Sequence, residues 1–161
     1  MERDAEIINT YLALDEDERI EYVRNFDGAL SLNLALFFLE IACETSNDEV
    51  LRIEVLKVLG LYKGGYNDEE IKKRLLEVIG REDEDDDVKI NAINTMDLMS
   101  VSDDDVDFFF NLLKSDEYIL IKEAAFSFIT HHKNLSSANA VLNKLVNDKV
   151  FGKSASRELA S

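Results

Sequence analysis

The sequence predicts an all-α protein, an α-α superhelix of about five antiparallel helix pairs, on three observations. The 161-residue chain contains no proline, and its six glycines fall near helix ends or in joints, Gly152 excepted. Apolar residues recur at helical spacing along nearly every segment. A short pattern is also repeated, at intervals of the length that marks stacked helical units.

The clearest copy of that pattern is Asp48 to Gly60, which reads acid, an apolar-basic doublet, two residues, a small or apolar pair, and a last apolar residue. Its slots are Leu51-Arg52, Val55-Leu56 and Leu59. A second copy supplies Val88-Lys89, Ala92-Ile93 and Met96. A third places Leu120 in the first slot, Ala124-Ala125 in the pair and Phe128 last, with its basic residue displaced by one to Lys122. A degenerate fourth starts at Val150 and keeps Ser154-Ala155. First slots are thus 37, 32 and 30 residues apart.

The elements follow in order. Glu2 to Leu14 carries Ile7, Ile8, Tyr11, Leu12 and Leu14 on one helix, and Asp15 with Glu18 forms a capping box for the next, through Ile20, Tyr22, Val23 and Phe26. Asp27-Gly28 ends it. Ser31 to Glu44 is apolar almost all round, as a helix with neighbours on three sides would be. The first copy of the pattern is its partner. Tyr62 to Tyr66 is a loop, and Asn67 with Glu70 is expected to cap a helix with the stripe Ile71, Leu75, Leu76 and Ile79. The acidic joint Glu82 to Asp87 opens the second copy. Ser102 with Asp105 caps a helix carrying Val106, Phe109, Phe110 and Leu113, the third copy follows, and Asn134 to Ser137 leads into Ala138, Val141, Leu142 and Leu145 before the fourth. The chain reads as one domain, 1–161, with 1–27 as an N-terminal cap pair and 28–161 as the repeated pairs.

Composition narrows the function classes. With 46% hydrophobic and 32% charged residues the chain has the makings of a real core. Its longest candidate apolar run, Leu34 to Leu39, is far short of the ~20 residues of a membrane span. The opening Met-Glu-Arg-Asp-Ala-Glu lacks the basic start and apolar core of a secretion signal, and the single Cys43 forms no intrachain disulfide, so a reducing cytoplasm is expected. The net charge of −16 disfavours nucleic acid and favours a basic partner. Glu82 to Asp107 holds eleven acids against Lys89 alone.

No constellation reaches a catalytic site. Asp83, Asp85, Asp87 and Asp103, Asp105, Asp107 imitate the start of a calcium loop. The turn-glycine position is Val88 or Phe108, however, and the bidentate-acid position is Asn94 or Lys114. Helix capping is the reading preferred for both. His131 and His132 are adjacent, so on a helix they diverge by about 100° and cannot share a metal as an i, i+4 pair does. Cys43 reads as a buried thiol, and of the Phe108-Phe109-Phe110 run only Phe108 is out of phase with the core stripe. No metal, cofactor or enzymatic activity is expected.

The segments Asp48 to Gly60 and Asp86 to Met99 resemble HEAT-type repeats, and the resemblance extends more loosely over about residues 27–161. It implies a solenoid whose second helices line a concave binding face. In size, charge and fold the chain also resembles the acidic immunity proteins of bacterial toxin systems. That resemblance implies a cytoplasmic, non-enzymatic protein that binds and blocks a basic, nuclease-type toxin. A general scaffold or adaptor with no toxin partner is the alternative. Residues expected to meet the partner are Asp85, Asp86 and Asp87 on one acidic rim, Asp103, Asp104 and Asp105 on another, and Asn91, Asn94 and Leu98 on the helix between them.

Overall fold

Side-chain oxygens at the joints decide where the helices begin. The structure, a computed structural model, describes residues 2–161. Among these it has ten helices and no strand: α1 (Glu2–Leu12), α2 (Glu16–Arg24), α3 (Leu32–Cys43), α4 (Glu49–Leu61), α5 (Glu69–Gly80), α6 (Asp86–Met96), α7 (Asp103–Lys114), α8 (Ile119–His131), α9 (Ser136–Leu145) and α10 (Gly152–Ala160). Asp15 with Glu18 and Ser102 with Asp105 close the expected capping boxes at α2 and α7. Ser31, Asp48 and Asp85 accept from the first free amides of α3, α4 and α6. Each such cap is worth about 1 kcal/mol.

The box expected from Asn67 and Glu70 does not form. The N-cap of α5 is Asp68, whose buried carboxylate is drawn 3.4 Å from Lys63 Nζ, while Asn67 Oδ1 accepts instead from the Glu69 amide two residues on.

The chain divides into two compact units, residues 1–99 and 100–161. In the first, α3 pairs with α4 and α5 with α6, and like helices of the two pairs stack, α3 on α5 and α4 on α6. This is the contact pattern of a helical repeat. Helix α3 has α1, α4 and α5 as neighbours, which accounts for its apolar circumference. Helices α1 and α2 do not form a fifth pair. They pack on α3 and α4 rather than closely on each other, so the expected count of five is replaced by four pairs across the two units, with α1 and α2 laid on the first. In the second unit α7 pairs with α8 and α9 with α10, and α7 and α9 stack. Its centre is Phe109 against Phe128, with ring centroids 4.4 Å apart.

Burial corrects the third repeat copy by one residue. In the first two copies Leu51, Val55, Leu56 and Leu59, and then Val88, Ala92, Ile93 and Met96, are buried as expected. In α8 the buried residues are Ile121, Ala125, Phe128 and Ile129, whereas Leu120 is 45% exposed and Ala124 is only half-buried. The first slot is therefore Ile121, three residues after the N-cap Tyr118, just as Leu51 follows Asp48 and Val88 follows Asp85. Lys122 then falls in register with Arg52 and Lys89, and its apparent displacement vanishes. In the fourth copy Val150 precedes α10 and is exposed, and only Ala155 is buried.

Two glycines set backbone paths that other residues could not follow. Gly28, with φ of 98°, turns the chain between α2 and α3. Gly64 lies so close to the Leu30 carbonyl oxygen that a β-carbon would collide with it, and the same two segments are tied by Leu30 N donating to Tyr62 O at 2.8 Å. Among the described residues, no helix is long and apolar enough to cross a membrane.

The register makes a direct prediction. Ala125→Asp places a carboxylate at a fully buried position and is expected to destabilise by several kcal/mol, roughly 3 or more. Ala124→Asp, at a half-buried neighbour, is expected to cost markedly less. Urea denaturation of both variants checks the order; equal effects would restore the earlier register.

Candidate functional site

In the unit of residues 1–99 the start of α4 and the joint before α6 meet in a cleft of about 480 Å³, lined by Asp48, Glu49, Arg52, Asp83, Glu84 and Asp85 together with Thr45, Asn47 and Val50. Repetition produces it. Asp48 and Asp85 occupy the same N-cap slot of stacked helices, so the acid that begins each copy is brought beside the acid that begins the next.

The floor of the cleft is a buried ion pair. Arg52 and Glu84 side chains are each 3% exposed. The guanidinium NH1 and NH2 donate to the two carboxylate oxygens at 2.8 and 2.7 Å, and Nε donates to the Ala42 carbonyl at 2.8 Å. Glu84 also accepts from the Asp85 amide at 3.0 Å and from Arg81 at 3.1 Å, and Arg81 in turn donates to the Cys43 carbonyl. Arg52 thus joins α4 to the end of α3 and to the joint between α5 and α6. Burial acts to raise the Glu84 pKa, but hydrogen bonds from Arg52, the Asp85 amide and Arg81, with the Arg52 charge, outweigh it and hold the carboxyl below its ordinary value.

Glu49, on the rim, behaves in the opposite sense. The Asp85 charge, then partial desolvation, a hydrogen bond with Asp85 and the Asp48 charge raise the Glu49 pKa, against a weaker opposing effect of Arg52. Carboxylates are therefore crowded at the mouth of the cleft, where Arg52 offsets the effect on Glu49 only in part.

The residues expected to meet a partner are placed as follows. Asp85 is half-buried, and its carboxylate accepts from the Val88 amide at 3.0 Å, while Asp86 and Asp87 are exposed on the first turn of α6. Farther along, Asn91 is half-buried and donates back to the Asp87 carbonyl at 2.8 Å, Asn94 is exposed, and Leu98 is 54% exposed. In the second unit Asp103 accepts from Ser137 Oγ at 2.7 Å and is exposed, as is Asp104. Asp105 is buried, with its carboxylate accepting from the Ser102 amide at 3.0 Å. Its place in a capping box folds it under the helix start, so it offers no charge to solvent. Reading by acid runs alone missed Asp48, Glu49 and the Arg52–Glu84 pair. The signal that could have found them is the repeat itself, since equal slots in adjacent copies become neighbours.

The remaining chemical candidates have structural surroundings. Burial raises the Cys43 thiol pKa, with Arg74 and Arg81 opposing it, so the thiolate is disfavoured. His131 and His132 sit at the end of α8, the His132 ring 4.9 Å from Phe128. Phe108 is half-buried and edge-on to Phe109. Burial, aided by the Asp68 charge, pushes the Tyr66 phenol up to about 12. Comparison with protein-family models, with curated proteins and with solved structures returns no match.

Two measurements test the ion pair. Arg52→Met and Glu84→Gln each leave a buried partner uncompensated and are expected to cost about 3–5 kcal/mol, the two effects being strongly non-additive when combined. Because the folded pKa of Glu84 is depressed, its contribution is present above the ordinary carboxylate range and is lost as pH falls through the depressed value. The acid limb of stability against pH should therefore be shallower in Glu84→Gln than in the parent.

Proposed function

We propose that the chain is a non-enzymatic binding protein of the bacterial cytoplasm, an immunity protein that neutralises a basic, nuclease-type toxin by binding and covering it. The observation that carries this reading is the rim of carboxylates at Asp48, Glu49, Asp83 and Asp85, where the charge of Asp85, with that of Asp48, contributes to raising the Glu49 pKa. A lysine or arginine entering there relieves the repulsion between like charges, so the site gains from a cation what it lacks alone. Exposed Asp86 and Asp87 extend the same field, and Asn94 on α6 and Leu98, two residues past its end, supply a less charged contact. The common slot of Arg52, Lys89 and Lys122 supports reading the pairs as HEAT-type repeats.

The mechanism is blockade. The excess of acid, −16 over the chain, steers a basic domain in, and occupancy denies that domain its nucleic acid. Acid of the second unit, Asp103 and Asp104, adds to the steering field.

Co-expression with the toxin domain encoded beside the gene is expected to restore growth. With that domain as probe, replacing Asp85, Asp86, Asp103 and Asp104 by Asn should slow association about tenfold and flatten its salt dependence, with thermal stability within about 1 kcal/mol of the parent. Asn keeps the cap at position 85. No rescue by the parent protein would favour the adaptor reading, and association that is unchanged and insensitive to salt would refute the electrostatic mechanism.

A further inference from the structure

Helices α1 and α2, unlike α3 with α4 and α5 with α6, do not pack closely on each other. Each lies on a different neighbour, and a hollow of about 380 Å³ lies between them, with Arg3, Glu6 and Ile7 on the α1 side and Tyr22 and Asn25 on the α2 side; a second, shallow hollow of about 520 Å³ continues from Tyr22 and Asn25 along α2 to Leu14. Their apolar lining is Leu14, Ile7 and Tyr22, all half-buried, with Phe26 beneath. Leu12 stands near the end of α1 at 56% exposure. The edge is predominantly acidic: Glu6, Asp17, Glu18, Glu21 and Asp27 line the hollows and are exposed, against Arg3 alone.

Residues 1–27 hold nine carboxylates against three arginines, and the arginines are engaged. Arg3 donates to the Ala29 and Asp27 carbonyls, Arg19 to those of Tyr11 and Leu12, and Arg24 pairs with Glu21 at 2.7 Å. We infer that the surface along α2, from the hollow it shares with α1 to Leu14, is a docking site for a basic amphipathic helix of another protein, its apolar stripe against Leu14, Ile7 and Tyr22 and its lysines or arginines against the acidic edge. Charge decides among occupants. An anionic membrane, a nucleic acid and a second copy carrying −16 are all repelled by this edge, whereas a helix with apolar anchors at i, i+3 or i+4 and i+7 and cations flanking them matches both floor and rim. The hollows extend along α2 from Asp17 to Asn25, about 12 Å at 1.5 Å per residue, so two to three turns suffice.

The test titrates the isotope-labelled protein with three synthetic peptides of about 14 residues: a leucine-lysine amphipathic helix, a scrambled peptide of the same composition, and a version with glutamate for lysine. Amide shift changes concentrated in residues 6–27 with the first peptide alone are the expected result. Asp17→Lys and Leu14→Asn should each weaken that binding about tenfold, the loss of roughly one ion pair or one apolar anchor. Asp17 is an exposed first-turn residue of α2, so its variant keeps the test open if Leu14→Asn does not fold. Equal binding of the scrambled peptide, changes centred on Asp48, Glu49 and Asp85 instead, binding of the glutamate peptide, or a surface already covered by a second copy in sedimentation would each overturn the inference. None of these outcomes bears on rescue from a toxin, so the two proposals fail separately.

Discussion

Arg52 is the point at which the first unit is held in register. A guanidinium with almost no exposure can persist only if its charge and its donors are satisfied, and it finds a carboxylate bonded through both oxygens and a carbonyl at the end of α3. The cost of burying both charges is large, and packed apolar side chains would serve stability as well. What the pair adds is specificity of arrangement, because only one relative position of α3, α4 and the joint before α6 satisfies all the groups at once. Thr95 makes a second polar tie of the same kind, donating from α6 to the Leu56 carbonyl of α4 at 2.7 Å. There the helices approach closely because Gly60 has no side chain to hold them apart: a β-carbon on it would come within 3.3 Å of the Thr95 backbone.

The same loop that supplies Glu84 also supplies Asp83 and Asp85, and the contrast among neighbours is instructive. Glu84 turns inward and is neutralised, Asp85 caps a helix, and Asp83 stays outside. Three adjacent acids thus have three electrostatic fates, set by backbone direction and not by residue type. Self-repulsion at the mouth is tolerated because the interior ion pair and the cap fix the loop beneath it. A surface of this kind stores a preference for cations without needing any of them to be present in the free protein.

Helix content and most of the core were legible in the sequence because their signals are local. Capping boxes at Asp15 and Ser102 and the apolar periods of α3, α4 and α6 act within a few residues, and each appears where its pattern places it. What was not legible depended on competition between distant groups. The box at Asn67 is missing because the helix starts one residue later, with Asp68 as its N-cap and paired to Lys63. The third copy was misread by one residue because its cap position is Tyr118, whose side chain makes no capping hydrogen bond, so no acid marks the helix start. Helices α1 and α2 follow each other in sequence, and adjacency suggested a pair, but Tyr11 and Val23 are buried on helices whose main neighbours are α3 and α4. Of the binding surface, the exposed acids were visible, whereas the neighbourhood of Asp48 and Asp85 required knowing that like helices stack.

The fixed interval between a cap and its first buried residue has a consequence for how the chain can vary in length. Successive caps at Asp48, Asp85 and Tyr118 are 37 and 33 residues apart, yet the step from cap to first slot is three residues in each of these three copies. The four-residue discrepancy is absorbed at helix tails and in joints, where an added residue displaces no buried side chain. One residue inserted between cap and slot would instead rotate every later side chain of that helix by about 100° and turn its core stripe toward water. Insertions and deletions are therefore confined to one end of each repeat, and the chain can change length from copy to copy while its buried faces stay in phase.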